Sequence, residues 1–207
     1  FHYRLFCAYY VEICATRFSN TIREVGQNGR RGALMLSMDI NHPSAEEFMD
    51  AKMEDGKITG ANISVKLYDE WMKSALGIDC ELDKEKNRLW KKIIHNATTK
   101  AEPGVLFWDT ILRESPADCY SDFGFKTIST NPCGEIPLAA GDACRLMSLN
   151  LYSYVDSPFT NDASFNFDKF IKHAKLSIKL MDNMIDLENE KIDKILTSKI
   201  FGIPIML

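Results

Sequence analysis

The sequence predicts an α/β fold with parallel strand pairing. Short apolar runs of strand length alternate with stretches of helical periodicity, the pattern of strand–helix–strand units. Residues 165–200 then carry apolar side chains at long-helix spacing. At 207 residues the chain suits one sizeable domain or part of a larger one.

Taken in order, "ALMLSMDI" (33–40) follows a glycine-rich turn and reads as a buried strand. "HPSAEEFMDAKM" reads as a helix, with Ser44 as N-cap and Glu47 completing a capping box. "ANISVKL" (61–67) alternates like a strand, and "YDEWMKSAL" reads as helix. Residues 82–100 read as a charged helix whose buried side is Leu89, Trp90, Ile93 and Ile94; its run "LDKEKNRLWKK" is a solvated face. "PGVLFWDT" (103–110) and "RLMSLNL" (145–151) are further strand candidates. In the long helix, Phe170, Ile171, Ala174, Ile178, Met181, Ile185, Ile192 and Ile195 recur at helical spacing, with Met181 and Met184 read as core packing.

Hydrophobic content of 45% and charged content of 26% are ordinary for a soluble globular protein. Lys and Arg number 25 against 29 Asp and Glu, so the net charge of −4 leaves no basic footprint for nucleic acid. No run of 18 apolar residues proposes a membrane helix. "FHYRLFCAYYVEICATR" lacks a signal-peptide layout, and the chain starts without Met, which fits processing or a piece of something longer. The apolar end "FGIPIML" fits a cut through a domain or a short docked strand.

Six cysteines stand at 7, 14, 80, 119, 133 and 144, with no CxxC pair and no zinc-ligand spacing, so no metal site is expected. The default is a reducing cytoplasm with mostly buried, inert thiols; Cys80 and Cys119 read as structural or incidental. His42, His95 and His173 are scattered and read as surface or packing residues.

Two segments stand apart. "GQNGRRGA" (26–33) packs three glycines and two arginines before a strand, which suits either a nucleotide-contacting loop or a solvated turn. In "NPCGEIPLAAGDACRLMSLNL" (131–151), Pro132 and Gly134 put Cys133 on a tight turn. Asn131, Cys133 and Glu135 alternate, so an amide, a thiol and a carboxylate could share one pocket, with Cys144 approaching it. A buried cysteine beside a surface glutamate is the plainer alternative.

These segments resemble the catalytic large subunit of ribonucleotide reductase. "NPCGEIPL" is similar to that family's Asn-x-Cys-x-Glu active-site finger loop, and "ACRLMSLNL" to the segment that follows it with a redox cysteine. "GQNGRRGALMLSMDINHPSAEEFM" resembles the specificity loop with its strand and helix, and "DNMIDLENEKIDKIL" a later helix. The resemblance runs from about Phe18 to Ile200. It implies part of a ten-stranded α/β barrel of the ribonucleotide reductase and glycyl-radical type, carrying the finger loop. By region, the resemblance implies a non-matching stretch at 1–17, a partial catalytic barrel at 18–200 and, at 201–207, an apolar end expected from a truncation.

The resemblance implies deoxyribonucleotide synthesis for DNA precursors by thiyl-radical chemistry. Cys133 would be the radical thiol, Glu135 the base on the 3′-hydroxyl, Asn131 the group orienting the ribose, and Cys144 half of the reducing dithiol. Gln27, Asn28, Gly29, Arg30, Arg31 and Gly32 would form the loop through which a deoxynucleoside triphosphate or ATP effector sets base choice. The wording around Cys133 leans to the adenosylcobalamin-dependent class, with a separate metal-containing radical subunit as the alternative. Implied partners are a ribonucleoside di- or triphosphate, a thioredoxin- or glutaredoxin-type reductant, the rest of the barrel or a complementing chain, and a second copy in a homodimer.

The chain departs from the family in lacking the upstream redox cysteine, the phosphate-binding half of the barrel and the C-terminal relay cysteines; Cys7 and Cys14 do not replace them. The isolated piece is therefore expected to be inactive. Competing readings are a non-catalytic effector-binding or assembly piece of a split reductase, and a plain thiol–disulfide protein using Cys133 and Cys144, though redox folds favour CxxC at a helix start.

Overall fold

A computed structural model describes residues 2–25, 29–116, 118–142 and 144–197, with side chains placed from 11 to 191. The chain divides into two compact units, Phe1–Asp142 and Ala143–Leu207. Gln27, Asn28, Cys7, Ile192, Ile195 and the 201–207 end lie outside the described residues or side chains.

The first unit is built on three parallel strands in the order β1 (Met35–Asp39), β2 (Asn62–Leu67) and β3 (Gly104–Phe107). Helix α1 (His2–Glu24) precedes them, α2 (Ala45–Asp50) joins β1 to β2, and α3 (Asp69–Leu76) with α4 (Lys84–Lys100) joins β2 to β3. The expected α/β alternation with parallel pairing is thus present.

The central strand explains the layering. Ile63, Val65 and Leu67 are almost wholly buried on one face, against Phe48 and Met49 of α2, Trp71 and Ala75 of α3 and Ile93 of α4. Each such side chain contributes roughly 1.5–3 kcal/mol of transfer free energy. The intervening residues Asn62, Ser64 and Lys66 take the opposite face, in register with Met35, Ser37 and Asp39 of β1.

Helix ends depart from expectation in one place. Ser44 precedes α2, but its backbone (φ −101, ψ 17) is not extended and its hydroxyl makes no cap bond. A capping hydroxyl reaches the first turn only from β-region dihedrals, so the box with Glu47 does not form; the Ser44 N–H donates instead to His42 Nδ1 at 3.1 Å. Asp83 caps α4, accepting from the Glu85 and Lys86 N–H groups at 3.0 and 3.1 Å. Of the four residues expected on α4's buried side, Ile93 is buried, Leu89 and Trp90 are half-buried, and Ile94 is exposed.

After β3 the chain forms α5 (Trp108–Glu114), so "PGVLFWDT" is a strand only to Phe107. A 3-10 turn, Asp118–Phe123, leads into an antiparallel hairpin of β4 (Thr127–Thr130) and β5 (Pro137–Ala139).

The second unit holds a 3-10 turn (Leu151–Tyr154), a two-stranded ribbon of β6 (Val155–Asp156) and β7 (Ser164–Phe165), and α6 (Phe167–Thr197). Tyr154 is its buried centre, edge-on to Phe170 and hydrogen-bonded through its hydroxyl to His173 Nδ1 at 3.1 Å. Asn166 caps α6 by accepting from the Lys169 N–H at 3.0 Å. The expected strand at 145–151 is absent: no described strand lies alongside to take up its backbone bonds, and Leu146 is exposed. The turn and ribbon cover little of the 31-residue α6, so Ile171, Ile178, Met184 and Ile185 are exposed despite their periodicity, while Met181 is half-buried.

An ion-pair cluster ties α2 to α4. The Arg88 guanidinium grips both Glu46 oxygens at 2.8 Å, and Lys92 reaches Glu46 at 2.9 Å. Arg88 first, then Lys92, hold the Glu46 carboxyl down at about 2 from its ordinary 4.5. A carboxylate with a depressed folded pKa stabilises above its unfolded pKa and loses that contribution as pH falls through the folded value. Both partners are more than a third exposed, so screening keeps the effect below about 1 kcal/mol. Glu46→Gln is expected to lower the urea midpoint at pH 7, with the gap to wild type closing between pH 4.5 and pH 2.

Candidate active site

The sheet's polar face meets the β4–β5 hairpin. Lys66 Nζ donates to the Ile128 carbonyl at 2.5 Å and lies 3.7 Å from the centre of the Trp108 ring. Burial pushes its ammonium pKa down. Ser37 and Ser129 share a hydroxyl bond at 3.1 Å, and Asn62 Nδ2 donates to the Pro132 carbonyl at 2.7 Å. Two of these three contacts end on main-chain carbonyls of the hairpin.

The turn between β4 and β5 is held by Asn131. Its carbonyl accepts from the Gly134 N–H at 3.0 Å, closing a β-turn over Pro132 and Cys133. Its N–H donates to the Ile136 carbonyl, and its Oδ1 accepts from the Ile136 N–H, both at 3.0 Å. Asn131 is buried, whereas Cys133 and Glu135 are exposed. The turn replaces the extended alternation that would have pointed all three side chains one way. Asn131 Oδ1 is committed to the loop, and its Nδ2 is the part left to meet another group.

Cys133 stands on an open groove of about 450 Å³ at the N-terminal ends of the three strands. Asn62, Ser64, Lys52, Lys100 and Glu102 line it. The Lys52–Glu102 ion pair is pinned there, with Lys52 also donating to the Ala61 carbonyl at 2.7 Å and Glu102 accepting from the Ile63 N–H at 3.2 Å. Lys100 is paired with Asp55 at 2.5 Å. An exposed thiol beside amide and hydroxyl groups and two ion-paired lysines suits a small, polar ligand.

Cys144 belongs to the second unit, where it is exposed beside Arg145, Glu188 and Lys191. Arg145 is ion-paired with Glu188 of α6. In the 26–33 loop, Gly29, Arg30, Arg31 and Gly32 are described and exposed. Gly32 has a packing reason of its own: a Cβ there would stand 2.7 Å from Ile22 of α1. Among the described residues no group of three His, Cys, Asp or Glu side chains is placed to hold a metal ion, and no described helix is long and apolar enough to cross a membrane.

A family model described as the ribonucleotide reductase barrel domain matches residues 13–85 and 79–199. The chain belongs to this family. The match begins inside the 1–17 stretch, within α1. A vitamin B12-dependent ribonucleoside-diphosphate reductase of Thermoplasma acidophilum is 32% identical over 192 residues, covering 86% of this chain and 24% of that protein. A vitamin B12-dependent ribonucleotide reductase of Streptomyces clavuligerus is 28% identical over 211 residues, covering 84% and 21%. The chain thus spans about a quarter of the length of these barrel-domain relatives. Among solved structures, the alpha subunit of the Actinobacillus ureae class Id ribonucleotide reductase aligns with a TM-score of 0.47 and 26% identity, over 54% of this chain and 21% of that one.

The polar residues that hold the hairpin, Ser37, Asn62 and Lys66, were not singled out by sequence reasoning. For Asn62 and Lys66 the signal is the alternation within "NISVKL", whose polar members look like a solvated face until a hairpin is laid on them; Ser37 is the one polar residue between apolar neighbours in "LMLSM". Gly134 has φ +86, and an added Cβ would meet Leu106 Cδ2 at an ordinary 3.7 Å. Backbone strain, not a clash, sets the penalty. Gly134→Ala is expected to cost about 1 kcal/mol in chemical unfolding, with the sheet's core unaffected.

Proposed function

We propose that this chain is the part of a ribonucleotide reductase catalytic subunit that presents Cys133 as a radical thiol to the ribose of a ribonucleoside di- or triphosphate. One observation carries the reading: in a chain of the barrel-domain family, an Asn-clamped turn holds Cys133 exposed on a polar groove beside a parallel sheet.

In the proposed reaction the Cys133 thiyl takes the 3′-hydrogen atom of the ribose. The Glu135 carboxylate takes the 3′-hydroxyl proton while the 2′-hydroxyl, protonated by a thiol, leaves as water. Cys144 and a second cysteine outside this chain close to a disulfide: one thiol has given its proton to that water, the other gives a hydrogen atom to C2′, and the remaining electron reduces the 3′-ketone as Glu135 returns its proton to O3′. Cys133 then returns its hydrogen to C3′, and a thioredoxin- or glutaredoxin-type partner reopens the disulfide. Glu135 is exposed and free to move onto a ligand, and Asn131 Nδ2 is the group available to a ribose hydroxyl. Arg30 and Arg31, with Gln27, Asn28, Gly29 and Gly32, are assigned to the effector loop that couples a bound nucleotide to base choice.

The relatives' names support adenosylcobalamin as the radical source, with a metal-containing small subunit as the alternative. When bound, that cofactor supplies a one-electron oxidant for a thiol. The groove's lysine, carboxylate, amide and hydroxyl groups suit a phosphorylated sugar and present no broad apolar face to a corrin. These residues do not fit the cofactor, and its binding is assigned to other parts of the enzyme. The complete enzyme, with the remaining barrel from the same or a complementing chain, is taken to be a homodimer.

The test is a chimera in which residues 13–199 replace the matching segment of the Thermoplasma acidophilum reductase. Turnover above the assay background is expected, and Cys133→Ser should remove it while circular dichroism stays unchanged. Retained turnover in that folded variant would show that Cys133 is not the radical thiol.

A further inference from the structure

The backbone of the Cys133 turn is gripped from two sides. Asn131 grips it from within the hairpin. The second grip comes from a different element, at the first residue of β2: Asn62 Nδ2 lies 2.7 Å from the carbonyl oxygen of Pro132. That carbonyl belongs to the peptide unit whose other end is the N–H and Cα of Cys133. A peptide unit is planar and rigid, so fixing its oxygen fixes the plane from which the Cys133 side chain departs. Asn62 and Cys133 also line the same groove.

We infer that Asn62 is a positioning residue for the Cys133 thiol, acting through the Pro132–Cys133 peptide. The inference rests on the reading of Cys133 as the reactive thiol, and it adds a residue on the sheet to a machinery otherwise confined to the hairpin and the segment after it. Several features support it. Pro132 has no N–H, so its carbonyl is the only main-chain handle at that residue. The outward carbonyl inside a β-turn is ordinarily left to water, whereas here a strand residue supplies the donor. Asn62 itself is held at the N-terminal end of the central strand, its own N–H donating to the Leu34 carbonyl at 2.8 Å. The Asn62 position is therefore set by β1 and β2 and passed to the turn through one bond. A hydrogen-atom transfer needs near-contact of the reacting atoms, so a sulfur displaced by an ångström loses rate steeply.

Amide hydrogen exchange on this 207-residue chain reads the grip directly, because the Gly134 and Ile136 N–H groups are bonded within the turn. Wild type is compared with Asn62→Ala, Asn62→Asp and Asn62→Gln. Asn62→Asp keeps the shape and loses the donor, while Asn62→Gln restores a carboxamide N–H on a longer arm. Ala and Asp are expected to lower protection at Gly134 and Ile136 about threefold, the factor supplied by one modest hydrogen bond. Gln should recover most of that loss. The amides of Thr127, bonded to Asp118, and of Ile40, bonded to the Lys66 carbonyl, should keep their protection. Unchanged protection at Gly134 and Ile136, an equal loss at Thr127 and Ile40, or no recovery with Gln would each overturn the inference. The measurement needs no turnover, so it stands or falls separately from the result with Cys133→Ser.

Discussion

The rest of the first unit depends on the two unlike faces of β2. One face is aliphatic and draws three helices onto the sheet through burial, a force without direction. The other carries an amide, a hydroxyl and an ammonium, which demand partners at fixed distances. The hairpin meets the Asn62 amide and the Lys66 ammonium with its own carbonyls, and its Ser129 hydroxyl bonds Ser37 of the neighbouring β1. A sheet with both faces aliphatic would bury just as much surface but would leave the hairpin free to slide. The polar face converts a packing arrangement into a register, and that register places Cys133 at the groove.

The lysine in this arrangement shows which effect wins. Lys66 is partly desolvated, which disfavours its charge, and burial is the largest influence on it. It is nonetheless placed against a carbonyl and over the Trp108 ring, both of which stabilise a cation. Its charge-assisted bond to Ile128 is stronger than a neutral one, and it lies near the base of β4 while Asn62 acts at the turn. The hairpin is thus held at both ends by strand residues four apart.

Much of this was legible in the sequence, for reasons that differ by element. Strands β1 and β3 announce themselves through short apolar runs, β2 through its alternation, and α4 through its charge pattern, because local periodicity and burial agree there. The Cys133 turn follows from Pro132 and Gly134, which restrict the backbone wherever they fall. What stayed hidden is tertiary. "NISVKL" reads the same whether Asn62 and Lys66 face water or a hairpin 60 to 70 residues away. Ser44 looked like a cap because of its type, yet cap geometry depends on dihedrals that the preceding turn dictates. The 145–151 segment has strand composition without a described neighbour to pair with. Along 131–135 a turn closed by Asn131 takes the place of an extended run, with Asn131 buried and Cys133 and Glu135 exposed.

The contacts that seat the hairpin end largely on its main chain. Asn62 and Lys66 recognise carbonyl oxygens, which every residue possesses, so the sheet registers the path of the hairpin and is nearly indifferent to its lettering. The exposed side chains at the tip, Cys133 and Glu135, can therefore be exchanged without rebuilding the floor beneath them. Such a scaffold behaves as a tool-holder. The proposed radical thiol sits in a standard fitting, where the bit can be changed alone.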